Sequence, residues 1–181
     1  MEIRFKSSIK SAGNLLISQL ILYIVGPLIS LLVVRYLGPE DYGHYASALA
    51  VTALVGILAD FGTNQATLKY GSRSEQDLAA AYYVGRLISY SLAVLAFVIT
   101  LTWFLVLDYD PLTIHIGILF SLNYFVTAYR APAAAVLQTK GAYSKLALIS
   151  IYVSIAQWIA TLLMLAFKAD VRLIAGVPIA V

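Results

Sequence analysis

Cysteine is absent from this chain, and charge is scarce: twelve Lys and Arg and nine Asp and Glu among 181 residues. Without a thiol there is no disulfide scaffold, no thiolate metal site and no cysteine nucleophile. No spacing of His, Asp and Glu suits a metal ion. The two histidines, His44 and His115, are isolated at span ends, where a solvated or interfacial role is expected. There is also no glycine-rich phosphate loop and no nucleophile elbow, which excludes an ATPase within these residues. No pair of titratable groups makes an acid/base site. The chain is therefore expected not to be an enzyme and to use no cofactor.

What is present is apolar. Hydrophobic residues make up 61% of the chain and charged residues 12%, against roughly 25% charged in an average soluble domain. One soluble core of this size has no room for so much apolar surface, so the class is a polytopic, all-α transmembrane bundle. A hydrocarbon layer takes about 20 apolar residues to cross as a helix. On that rule five full spans lie at 13–34, 44–68, 84–107, 112–137 and 146–167, and a sixth begins near Leu173. The expected connections are Arg35–Gly43, Lys69–Tyr83, Asp108–Pro111, Gln138–Lys145 and Lys168–Arg172. No soluble domain interrupts them, so residues 1–181 read as one transmembrane domain. The first span is too long for a signal peptide and lacks an A-x-A site, so it is expected to be retained.

The net charge of +3 does not point to nucleic acid, because the basic residues sit at the ends of apolar runs and orient helices. With the N-terminus inside, nine of them fall on the inner side: Arg4, Lys6, Lys10, Lys69, Arg73, Arg86, Arg130, Lys140 and Lys145. Arg35, Lys168 and Arg172 fall outside. The positive-inside rule therefore predicts a cytoplasmic N-terminus. Tyrosines such as Tyr36, Tyr42, Tyr45, Tyr70, Tyr82, Tyr83 and Tyr109 fall at span ends and read as interfacial belts.

Polar residues recur at helical spacing within the spans: Gln19, Tyr23, Gly26 and Ser30; Thr52, Gly56, Asp60 and Asn64; Asn123, Thr127 and Arg130; Ser150, Ser154, Gln157 and Thr161. Helix packing and a cavity lining both account for the small ones. The charges group by depth. Asp60 lies about 24 Å along its helix from His44 at 1.5 Å per residue, Arg130 lies at a similar depth, and Arg86 starts the third span. Two readings are open for the arginines: they snorkel to the headgroups, or they line an inner mouth that receives an anion, with Asp60 pairing one of them. Pro27 and Pro132 mark places where a span can bend.

The segment RYLGPEDYGHYASALAVTALVGILADFGTNQATLKY resembles the polysaccharide-biosynthesis flippases, the O-antigen and capsule repeat-unit translocases of the multidrug/oligosaccharidyl-lipid/polysaccharide exporter superfamily. The residues that carry the resemblance are Arg35, Leu37, Gly38, Pro39, Glu40, Tyr42 and Gly43, then Asp60, Gly62, Ala66, Lys69 and Tyr70, with LQTKGAYSKLALI (137–149) further on. Such proteins have twelve to fourteen helices in two lobes, so this chain resembles an N-terminal lobe and reads as truncated at its C-terminus. The resemblance implies flipping of a polyprenyl-pyrophosphate-linked oligosaccharide across the bacterial inner membrane by alternating access. The implied partners are that lipid-linked substrate, the bilayer and, as further candidates, other glycan-assembly membrane proteins, with no nucleic acid. Pyrophosphate calls for cations, and arginine matches it with a planar fork. The candidate site is therefore Arg130 and Arg86, with Asp60 as the holding partner of an arginine and Asn123 on the helix of Arg130. A multidrug/cation antiporter of the same superfamily is the alternative, for which Asp60 is the one intramembrane acid at hand. A non-transporting scaffold for glycan assembly is another.

Overall fold

The computed structural model describes the backbone over residues 2–167 and 170–180, and side chains over 23–167 and 170–177. The side chains of Arg4, Lys6, Lys10 and Gln19, and all of Lys168, lie outside the described residues. Six helices follow one another: α1 (Glu2–Asp60), α2 (Thr63–Gly71), α3 (Glu75–Val106), α4 (Pro111–Thr139), α5 (Tyr143–Ala166) and α6 (Val171–Ala180). No strand occurs among the described residues. Four helical stretches are long and apolar enough to cross a membrane, with Tyr23–Gly71 counted as one.

That first stretch is two arms. Gly38, at φ 73° and ψ 178°, is the non-helical residue within α1. This combination is one that essentially only glycine adopts. Gly26, Ile29 and Ser30 before it line the same cavity as Tyr42, Tyr45 and Leu49 after it. A straight helix would hold Gly26 and Leu49 about 34 Å apart, so the chain reverses at Gly38. The connection expected over Arg35–Gly43 is thus a single residue between helical arms.

The second expected span, 44–68, also differs. Helix α1 stops at Asp60, and Phe61 (φ 30°) and Gly62 (φ 76°) re-aim the chain into the short α2. The connection expected over Lys69–Tyr83 shrinks to Ser72–Ser74, because Ser74 caps α3: its Oγ accepts from the Asp77 N–H at 3.1 Å, and Glu75 and Asp77 place negative charge in the first turn. Asp110 likewise starts α4 by accepting from the Leu112 N–H at 2.8 Å, ahead of Pro111. Pro132 lies inside α4 without ending it and is fully buried.

Helix α4 packs against all the others, while α5 touches chiefly the first helix and α6. Of their apolar windows, 39% of α4 is buried but 6% of α5. One core cluster sits at the Gly38 end, where Ala48, Phe104, Ile116, Phe120, Val171 and Ala175 meet. There His44 is not simply solvated: its Nδ1 lies 2.8 Å from Thr113 Oγ1 and ties α1 to α4. His115 bonds within its own helix, to the Pro111 carbonyl at 2.6 Å. A second cluster, toward the Gly62 end, joins Val55, Ala59, Ala93, Ala96, Tyr124 and Ala128. The outward faces carry exposed Leu54, Ile57, Val94, Leu95, Val98 and Leu122, the surface a bilayer solvates.

Candidate functional site

Tyr124, buried near the middle of α4, fixes the helices around the site. Its hydroxyl donates to the Thr52 carbonyl at 2.7 Å and lies 3.1 Å from Thr100 Oγ1, so one phenol joins α1, α3 and α4. Thr52 Oγ1 turns back to the Ala48 carbonyl at 2.8 Å, and a Cβ on Gly56 would come within 3.3 Å of the Tyr124 ring. Of the polar residues in this span, Thr52 and Gly56 therefore serve packing while also bordering the cavity described next.

On the side of Tyr124 that faces α5, a cavity of about 420 Å³ opens between α1, α4 and Gln157 of α5. Asn123 and Thr127 line it and are exposed. A neighbouring space of about 270 Å³ continues along the same cleft, sharing Tyr45, Leu49 and Gln157 and reaching Ser30 and Thr161. In the other direction Thr127 also borders a cavity of about 430 Å³ between α4 and α5, where Arg130 and Ser150 lie. The polar stripe of α4 (Asn123, Thr127, Arg130) thus faces Ser150, Gln157 and Thr161 of α5 across one cleft.

Arg86 is elsewhere. It is half-buried in the seam between α3 and α4. Its Nη1 donates to the Tyr82 hydroxyl at 3.3 Å, and its guanidinium lies 4.9 Å from the Tyr129 ring centre and 5.7 Å from that of Tyr90. These aromatic faces supply cation–π attraction. Tyr129 also borders the cavity of Arg130, so the two arginines lie on either flank of one tyrosine. Asp60 is exposed at the C-terminal end of α1, and among the described residues no ion pair joins it to either arginine. The rotation of α1 leaves the Asp60 carboxylate exposed, away from both arginines.

A hydrocarbon layer of about 30 Å, or 20 helical residues, counted from Pro39, Val106 and Pro111 at the Gly38 end, reaches Ala59, Arg86 and Ala131 at the other. Asp60, Arg86 and Arg130 therefore lie at one level of the bundle, toward the Gly62 end. Beyond it project α2 and the ends of α3 and α4.

Tyr124, Thr100 and Tyr129 were not expected as site residues. The spacing Tyr82, Arg86, Tyr90 places all three on one helix face and signals the aromatic box around the arginine. Tyr124 has no such signature, since its partners come from distant sequence.

No curated protein and no solved structure gives a significant match to the chain. A family model described as polysaccharide biosynthesis protein matches residues 9–175. With nearly its whole length covered, and with membrane-length apolar helices around a polar cleft, the chain belongs to the polysaccharide biosynthesis protein family.

Proposed function

We propose that this chain takes part in flipping a polyprenyl-pyrophosphate-linked oligosaccharide across the bacterial inner membrane, by alternating access and without a covalent step. In this reading it serves as the N-terminal lobe of a two-lobed translocator. Its N-terminus is cytoplasmic, and the Gly62 end is the inner mouth. The observation that carries the proposal is the placement of Arg130. It is exposed toward the Gly62 end of the bundle, with no carboxylate partner among the described residues, at the foot of a cleft lined by Asn123, Thr127 and Gln157. A cation in that position has phosphate as its natural counter-ion. Asn123 and Gln157, further along the cleft, offer amide donors and acceptors of the kind that suit sugar hydroxyls.

The test is complementation of a strain lacking the protein. Arg130→Ala is expected to abolish or severely reduce surface glycan, with the lipid-linked precursor accumulating in the inner leaflet. Normal surface glycan in that variant, at normal protein level, overturns the proposed role of Arg130. Drug resistance that depends on Asp60 would instead favour cation antiport.

A further inference from the structure

We infer that the seam between α3 and α4 is a docking groove for the phosphate and first sugars of a lipid-linked saccharide. The substrate waits there before entering the cleft at Arg130, an inference that rests on the translocation reading above. The two helices run antiparallel, and one contact and one shared space fix how their levels match. Arg86 lies against Tyr129, and Tyr82 and Ala133 border one space, as do Glu75 and Lys140. Down the seam from Arg86 runs a groove of about 650 Å³ lined by Leu78, Tyr82, Tyr83 and Val136, with Glu75 and Lys140 at its foot.

Measured from the Gly38 end, Arg86 sits at the hydrocarbon boundary, so the groove lies in the headgroup layer, where water and polar groups are at hand. Above Arg86 the seam is apolar, with Ala93 buried and Phe97 of α3 against Phe125 of α4, ring centres 5.8 Å apart. The vertical order of the seam is therefore apolar face, cation, then an aromatic groove with charged groups at its foot. A lipid bearing a saccharide through phosphate has the same order: hydrocarbon, anion, sugar. The guanidinium supplies the charge complement for phosphate. Tyr83, 71% exposed, presents a ring to the apolar face of a sugar, and Glu75 and Lys140 offer an acceptor and donors to its hydroxyls. An ordinary phospholipid fills the upper part of this order but leaves the groove empty. Ala133 and Leu137 border both this groove and the cavity of Arg130, so a substrate passing Tyr129 moves from one arginine to the next.

The test uses the whole protein in nanodiscs of phosphatidylethanolamine and phosphatidylcholine. The probe is a synthetic polyprenyl-diphosphate monosaccharide, with phosphatidylglycerol and sugar-free polyprenyl phosphate as competitors. Arg86→Gln and Tyr83→Ala are each expected to weaken probe binding about tenfold. Arg86→Lys should recover part of the loss, and neither competitor should displace the probe at equal concentration. Tyr83 is exposed, so its variant keeps the test valid should Arg86→Gln fold poorly. Wild-type binding that both variants retain overturns the groove and spares the translocation reading. Equal competition by phosphatidylglycerol also overturns it, making the seam a bulk-lipid site. No wild-type preference for the probe over phosphatidylglycerol overturns both.

Discussion

Replacing Tyr124 with phenylalanine keeps the ring and deletes one oxygen, which leaves the Thr52 carbonyl without its 2.7 Å donor and Thr100 without its partner. Hydrogen bonds between membrane helices contribute about 0.6 kcal/mol on average and up to about 1.7. Because two bonds are lost at one buried atom, Tyr124→Phe should cost about 1–2 kcal/mol, read as a lowered midpoint of thermal unfolding in detergent. A pair of glycines makes a sharper comparison. Gly26→Ala falls in helix with nothing near its new methyl, and should be neutral or stabilise by about 0.5–1 kcal/mol. Gly38→Ala puts a side chain at φ 73° and should cost about 1–3 kcal/mol; equal midpoints for the two variants would contradict the turn. At this scale the sequence was informative about charge and poor about partners. The depth shared by Asp60, Arg86 and Arg130 could be counted from helix rise alone. Which group each would meet depended on helix rotation, and there Asp60 turned outward while Arg86 turned into tyrosines.

Among the helices, the α2/α3 contact depends on close approach. A Cβ on Gly85 would collide with Thr67 Oγ1, and Ser89 Oγ donates to Thr63 Oγ1 at 2.9 Å one turn further along. Gly85→Leu should separate the two helices and destabilise by about 1–3 kcal/mol, as overpacking does. Gly85→Ala should be milder, and adding Thr67→Ala should recover most of its loss; an additive double variant would mean that the two residues do not touch. Apolar run length gave both ends of α4 and α5, and the last residues of α3, to within a turn. It missed the first nine residues of α3 and the break after Asp60, where polar residues continue or interrupt a helix and polarity no longer marks its limits. The signals there were local: Ser74 with Asp77 three residues on as a cap, and Gly62 as a break. A count of apolar residues passes over both.

For the molecule as a whole, the orientation is open to a direct test because the chain has no cysteine of its own. Single cysteines at Asp108 and Ser72 report the two ends. In intact cells a membrane-impermeant maleimide should label Asp108→Cys and leave Ser72→Cys unmodified until the membrane is opened. The reverse pattern would invert the bundle and place Arg130 at the wrong mouth for a cytoplasmic substrate. The bundle is also lopsided, with α4 central and α5 barely buried. Span counting gives no hint of this, since hydropathy reports that a helix crosses and says nothing of what flanks it. The polar stripe of α5 was visible at spacings of three and four, but its apposition to Asn123, Thr127 and Arg130 took the folded chain to see.

The one-residue reversal at Gly38 has a consequence for how this sequence can vary. A longer loop absorbs an inserted or deleted residue by changing its own path. Between Leu37 and Pro39 there is no such slack, and each residue gained or lost turns the first arm by about 100° about its axis. Gly26, Ile29 and Ser30 would then swing from the cleft toward lipid and carry apolar neighbours into their place. The helix before Gly38 behaves as a key cut to one register, so length changes between Arg35 and Gly43 should be far rarer than changes of residue.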